Sequence, residues 1–362
     1  MIPVAEPELR GNELKYVTEC IETEWVSSLG KYVYAFEDKM AEMCDRRFAL
    51  SVCNGTAALH LALEALGIGE GDEVIVPSMT FVATANAVSY TGATPVFIDS
   101  EKAYWQLDPE QLEGLITPRT KAIIPVDLYG HPVDMDAVIA VAQKHGLYVV
   151  EDAAESHGAL YKGKPCGALG DVSCFSFYGN KVVTTGEGGM LLLDDEALYE
   201  KAKMLRDHAM SPTDRYYHPY IGFNYRLTNV QAAIGLAQIE RLDEFVAIKR
   251  RNAAIYAEHL VGIPGVTLQP EAEWAKSVYW MYSILVDEPY SLSQGALMVE
   301  LRDEGIDTRP FFHAIHTMPC HKRDRSLPVA EHLARTGINL PSSVKLTEDQ
   351  IVYICGKIRE RA

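Results

Sequence analysis

Residues 48–66 read FALSVCNGTAALHLALEAL, a short apolar run, a glycine turn and then a stretch rich in alanine and leucine. Phe48–Val52 has the look of a strand, Asn54-Gly55-Thr56 of a tight turn, and the remainder of a helix. The unit then repeats. EVIVP (73–77) leads into TFVATANAVSY (80–90), and TPVFID (94–99) precedes an acidic helix near DPEQLEGL (108–115). KAIIPV (121–126) precedes DMDAVIAVAQKHG (134–146), and LYVVED (147–152) follows. Continuous apolar strands separated by helices signal a mostly parallel sheet buried on both faces. This is a doubly wound α/β architecture, with ligands expected at the carboxyl ends of the strands.

Past residue 195 helical patterns dominate: DEALYEKAKMLRDHA (195–209), then a long stretch over 228–260 able to bridge two lobes. The pattern changes at Gly262-Ile263-Pro264-Gly265. SVYWMYSILV (277–286) reads as a strand, SQGALMVELRDEG (293–305) as a helix, and TEDQIVYICGKIRE (347–360) as a terminal helix. The expected division is a large domain over 1–245 and a smaller C-terminal α/β lobe over 246–362. GNELKYVTECIETEW (11–25) is expected to be a helix packed on the small lobe or on a second subunit.

Composition narrows the function classes. The 362 residues carry a formal charge of -17, which leaves no basic stripe for nucleic acid. A small phosphorylated ligand remains compatible, because a helix N-terminus and a few cations suffice to hold it. The start has neither a basic n-region nor an apolar h-region, and no apolar run approaches the ~18 residues of a membrane span. The seven cysteines are scattered without a C-x-x-C pair, as expected of reduced thiols in a cytoplasmic protein.

Three places carry candidate chemistry. At Asn54-Gly55-Thr56 the first amides of a helix have no internal partner and can hold a phosphate; the alternative is a plain joint capped by Thr56. In VVEDAAESHGA (149–159), Glu151 and Asp152 end an apolar strand. A carboxylate there could keep a proton on a heteroaromatic nitrogen, or could simply cap the next turn. In FSFYGNKVVTTGEGGM (175–190), Lys181 stands between a short strand and a glycine-rich turn. It reads as a solvated turn residue, a phosphate ligand, or an amine desolvated into a nucleophile. Ser176 would lie at the same strand end, with its hydroxyl free for a phosphate. A phosphate cradle, a carboxylate for a ring nitrogen and a lysine amine form a consistent set for pyridoxal phosphate. Neither a Walker motif nor a Rossmann glycine fingerprint occurs, which argues against a nicotinamide sugar oxidoreductase.

In this order, with VSSLG (26–30), VDLYGHPVDM (126–135), GFNYRLTNVQAAIGLAQIERL (222–242) and RPFFHAIHTMP (309–319), the chain resembles the sugar aminotransferases of the DegT/DnrJ/EryC1/StrS type. The resemblance implies an aspartate-aminotransferase-like fold (fold type I) and a pyridoxal 5'-phosphate cofactor that cycles through pyridoxamine 5'-phosphate. It makes Lys181 the residue that bears the cofactor and moves the proton, Asp152 the partner of the ring nitrogen, and Phe81 the stacking ring. Gly55, Thr56 and Ser176 would hold the phosphate, joined by Asn224 from a neighbouring subunit. Glu155 would face the ring hydroxyl, where many relatives carry glutamine. Ser27, Arg226, Arg309, His313 and His316 are the implied substrate contacts, with HKRDR (321–325) as further candidates for the diphosphate.

The implied donor is L-glutamate. The implied acceptor is a 4-keto-6-deoxy sugar nucleotide, GDP-4-keto-6-deoxymannose before its UDP- or dTDP-linked counterparts, in deoxysugar biosynthesis for lipopolysaccharide O-antigen. A site completed in trans implies a homodimer, with a tetramer open. Related sugar dehydratases carry histidine in place of the lysine, so Lys181 favours transamination over dehydration. His313, His316 and His321 lack a completing carboxylate or cysteine at a familiar spacing, and no metal is expected. A cofactor-binding regulator is the remaining alternative, and no DNA-binding module is evident.

Overall fold

The computed structural model describes all residues from Met1 to Ala362. The repeated units of residues 48–193 build one sheet from Phe48–Val52 (β1), Glu73–Pro77 (β2), Thr94–Ile98 (β3), Thr120–Ile123 (β4), Tyr148–Asp152 (β5), Val172–Ser176 (β6) and Gly189–Leu193 (β7). Their order across the sheet is β1-β7-β6-β5-β4-β2-β3. Only β7 runs antiparallel, against β1 and β6, while β6, β5, β4, β2 and β3 pair in parallel. The expectation of a mostly parallel sheet covered on both faces is met, and β2, β6 and β7 are buried along their whole length. Their continuous apolar sequences follow from helices lying on each side.

Four expectations need correction. The segment near DPEQLEGL is two short 3-10 turns, Pro109–Gln111 and Glu113–Leu115, because Pro109 starts a turn capped by Asp108 and Gly114 interrupts the next one. The stretch over 228–260 is two helices, Asn229–Ile239 and Leu242–Leu260, broken at Glu240-Arg241. The strand expected over 277–286 is confined to Tyr282–Val286, and the residues before it run irregularly past the sheet. The helix Glu13–Glu22 packs on helix Asn229–Ile239 rather than on the C-terminal residues. Asn229 Nδ2 donates to Cys20 Sγ, Tyr16 Oη to Glu240, and Gln238 Nε2 to Glu13. Leu14 and Ile21 remain exposed on its outer side.

A second core gathers around a sheet of four strands, Val266–Leu268, Tyr282–Val286, Gly337–Leu340 and Arg309–Pro310 in that spatial order. Residues Ala253 to Ile358 fill it. The helix Leu242–Leu260 serves both cores: Phe245 and Val246 lie in the first, Tyr256 and Leu260 in the second. Residue 245 therefore falls inside a continuous helix. Its buried Lys249 donates to the carbonyls of Trp280 (3.0 Å) and Ser342 (2.8 Å), which pins the C-terminal residues to the helix. Burial pushes this amine down to about 7.

The helix Asn229–Ile239 begins in a capping box, with Thr228 Oγ1 accepting from Gln231 N and Thr228 N donating to Gln231 Oε1. Thr228→Ala removes one side of that exchange and is expected to cost about 1 kcal/mol. Thermal unfolding of the variant should begin at a slightly lower temperature with an unchanged far-ultraviolet spectrum.

Candidate active site

A cavity of about 550 Å³ opens at the carboxyl ends of β5 and β6, where a doubly wound sheet places its ligands. Seven residues expected at a cofactor line it together: Gly55, Thr56, Phe81, Asp152, Glu155, Ser176 and Lys181.

One end of the cavity is a helix start. Asn54, not Thr56, caps the helix Gly55–Leu66, its side chain accepting from Ala57 N at 2.8 Å. The first two helical amides, of Gly55 and Thr56, have no intrahelical acceptor. Ser176 closes the cradle from the end of β6. The fit is tight, since a Cβ on Gly55 would lie 2.7 Å from the Ser176 Cβ. A Cβ on Gly189 would lie 2.4 Å from the Asn54 carbonyl oxygen, so two glycines let the turn seat on the strands.

The floor is acidic and dry. Asp152 is buried, accepts from Thr84 Oγ1 at 2.8 Å and Ala154 N at 3.3 Å, and burial holds its carboxyl above the usual range. Glu155 accepts from Tyr129 N at 2.7 Å and from Lys181 Nζ at 3.5 Å. Burial pushes it up to about 7, with Lys181 pulling the other way. The Lys181 side chain is only 11% exposed. Burial lowers its amine, and Glu155 and Asp152 oppose that shift. Phe81 is exposed beside the mouth, its ring 5.6 Å from that of Phe312.

Other expected residues lie elsewhere. Glu151 points away from the cavity, because successive side chains on a strand alternate sides. It accepts from Gly167 N, Leu169 N and Ser173 Oγ, and its position as a candidate for the crevice is corrected. With Asp127 and Cys166 it forms a buried cluster whose carboxylates are occupied by chain donors, Ser156 and Val133 serving Asp127.

His316 is buried outside the cavity, with Nδ1 2.7 Å from Ser78 Oγ and Nε2 3.2 Å from Glu331. His313 is exposed, so the two do not converge, and His316 fixes the loop through its bonds to Ser78 and Glu331. Arg309 is exposed and pairs with Asp307. His321 bonds Asn86 at 2.7 Å, and Arg325 reaches the Phe97 carbonyl. Ser27 and Arg226 share a separate cleft of about 380 Å³ with Arg206 and Asp207. Arg226 pairs with Asp207 at 2.8 Å and bonds the Asn224 side chain; Asn224 does not line the cavity of its own chain.

Sequence reading missed several lining residues: His60, Tyr178, Tyr225, Trp280 and Phe312. His60 was hidden by its apolar helix, although a lone histidine on that face was the available signal. Tyr178, Tyr225 and Phe312 sit within motifs singled out for other residues, and Trp280 sits in a stretch that reads as an ordinary strand.

A desolvated amine beside two carboxylates, with an anion cradle at the far wall, suits a phosphorylated pyridine aldehyde. The buried Asp152 makes no direct ion pair, and Gly55 opens a helix start whose first amides have no intrahelical acceptor. Fold and site define a pyridoxal phosphate-dependent aminotransferase of the aspartate-aminotransferase type. Known proteins agree. A GDP-perosamine synthase of Caulobacter vibrioides is 48% identical over 97% of this chain and 95% of its own length, and one of Escherichia coli O157:H7 is 46% identical over 99% and 98%. Among solved structures, Streptomyces venezuelae DesV in complex with a ketimine intermediate superposes with a TM-score of 0.92 at 37% identity, covering 99% of this chain and 98% of that one. DesI with its TDP-sugar product gives 0.93 at 32% identity, covering 99% and 92%. Residues 7–359 match the DegT/DnrJ/EryC1/StrS aminotransferase family, and the chain belongs to it.

Glu155 supplies a pH test. Its carboxyl binds a proton more tightly in the folded chain, at about 7, than in the unfolded chain, near the ordinary 4.5. Between those values the folded state holds more protons, so this group's contribution to stability falls as pH rises from 4.5 through 7. In the cofactor-free protein, Glu155→Gln should flatten that part of the stability-versus-pH curve measured in urea. A superimposable decline in both proteins would assign it to another group.

Proposed function

We propose that this aminotransferase transfers the amino group of L-glutamate to C4 of a GDP-linked 4-keto-6-deoxy sugar, GDP-4-keto-6-deoxymannose giving GDP-perosamine. The observation that carries this reading is whole-length similarity, at 42–48% identity, to GDP-perosamine synthases of three organisms, joined to a complete lysine–carboxylate site.

When bound, pyridoxal phosphate supplies the electron sink that lets a C–H bond beside nitrogen be broken and remade. The chain does the rest. Asp152, buried and bonded by Thr84, would keep a proton on the ring nitrogen. The Gly55 and Thr56 amides with the Ser176 hydroxyl would hold the phosphate, and Phe81 would supply the stacking ring. Glu155 would face the ring hydroxyl, with one of its oxygens fixed by Tyr129 N. Lys181 Nζ would bear the cofactor and, as an amine whose proton affinity burial lowers and Glu155 and Asp152 raise, would take and return the proton.

The working unit in this reading is a homodimer, possible as half of a tetramer, with Asn224 and substrate contacts such as Ser27, Arg226, Arg309 and His313 serving a site shared between subunits. Asn224 stands outside its own cavity, and Trp25, Leu29, Tyr34, Tyr220 and Ile221 are large apolar side chains left exposed. Seven free cysteines, and the lack of a helix long and apolar enough to cross a membrane, support a cytoplasmic place.

The purified enzyme should be yellow, and borohydride should fix the cofactor to the peptide containing Lys181; an adduct on any other lysine would sink the cofactor assignment. With L-glutamate and a panel of GDP-, dTDP- and UDP-linked 4-keto sugars, mass spectrometry should find a 4-amino product from the GDP substrate. Turnover of only the thymidine or uridine sugars would retain the aminotransferase and overturn the perosamine reading.

A further inference from the structure

Trp280 meets the reactive amine from the C-terminal part of the chain. Lys181 Nζ lies 3.7 Å from the centroid of its ring, inside the range of a strong cation–π contact. The indole is only 4% exposed and is fixed from several directions. Its Nε1 donates to the carbonyl of Asn180, the residue before Lys181, at 2.7 Å. Its own carbonyl accepts from buried Lys249, and its ring runs at 23° to that of Tyr129, centroids 6.2 Å apart. The bond to Asn180 ties the ring to the backbone that carries the lysine, so face and amine keep their separation if the two parts of the chain shift.

The other groups around the amine are accounted for. Glu155 lies 3.5 Å away and Asp152 adds a second carboxylate, both favouring a cation. His157, buried behind the site, is held neutral by burial, at about 3. Neither carboxylate is free for Lys181 alone, since Glu155 also serves Tyr129 and Asp152 serves Thr84. The indole face adds a third group that favours the cation, 3.7 Å from the amine.

We propose that Trp280 is a positioning residue for Lys181: its indole face receives the lysine ammonium whenever that amine is not joined to the cofactor, and keeps it at the cavity floor for the next proton transfer. This rests on reading Lys181 as the cofactor-bearing amine.

The test uses the full-length enzyme in its pyridoxamine phosphate form, where the lysine is free. Tryptophans with increasing numbers of ring fluorines are placed at position 280, draining the negative face of the ring at nearly constant volume. The pH dependence of acetic anhydride labelling is read on the Lys181 peptide by mass spectrometry. The midpoint should fall stepwise with fluorination, by about 0.5–1 pH unit across the series. A midpoint unmoved by fluorination overturns the proposal. Should the fluorinated chains fail to fold, Trp280→Phe is compared with Trp280→Leu: the ring should hold the midpoint above that of leucine, and equal midpoints overturn it. A borohydride adduct on another lysine would strike the cofactor reading instead, and leaves this titration readable.

Discussion

The structure turns on keeping one amine out of water. An isolated ammonium in an apolar interior is strongly unfavourable, so a lysine as buried as Lys181 must lose its proton or be surrounded by groups that favour the cation. Here both tendencies are present: burial pulls the amine down while Glu155 and Asp152 hold it up. That balance leaves the proton movable, which is what a group serving as both acceptor and donor in one turnover needs. The two carboxylates are offset by the same pairing, for burial raises each and the lysine lowers each.

Several elements must converge for this to hold. β5 ends at Asp152 and turns to deliver Glu155; β6 ends at Ser176 and leads through a short turn to Lys181. The two strands are parallel neighbours, paired from Val150–Val172 to Asp152–Cys174, so their ends reach the same edge of the sheet. The helix from Gly55 completes the wall only because its first residue lacks a side chain and touches Ser176. A parallel sheet is therefore part of the chemistry, since it brings separate strand ends to one edge.

This explains what was legible in the sequence. Lys181, Asp152, Ser176 and Gly55-Thr56 all sit where an apolar run gives way to a turn, and strand ends in an α/β pattern are readable from alternation alone. Glu151 against Asp152 was not separable, because the side each faces depends on the register of the strand against its neighbours. His316 was drawn toward substrate by its neighbour His313, yet the loop turns between them and buries one in contacts with Ser78 and Glu331. The acidic stretch at 108–115 had helical composition, but Pro109 and Gly114 limit it to single turns. Trp280 was beyond reach, since its place against Lys181 comes from a contact 99 residues distant in sequence, and its own segment reads as an ordinary strand.

That distant contact belongs to a closed circuit. Tyr129 holds a left-handed φ of 55°, uncommon for a residue with a side chain, and its amide donates to Glu155. Gly130 follows, and a Cβ there would lie 2.8 Å from Trp280 N and 3.2 Å from the Glu155 carbonyl, so only glycine lets these three segments meet. From Trp280 the path returns through the indole to Lys181, and from Lys181 to Glu155. The Tyr129 hydroxyl also accepts from Phe312 N at 3.3 Å, which joins the loop over the cavity mouth to the same circuit. Backbone strain at Tyr129 is thus held by its hydrogen bond to Glu155 and a close glycine contact. Displacing the loop at Phe312 or the backbone at Trp280 must therefore disturb the carboxylate that faces the amine, and the C-terminal residues take part in setting the proton affinity of a lysine they do not carry.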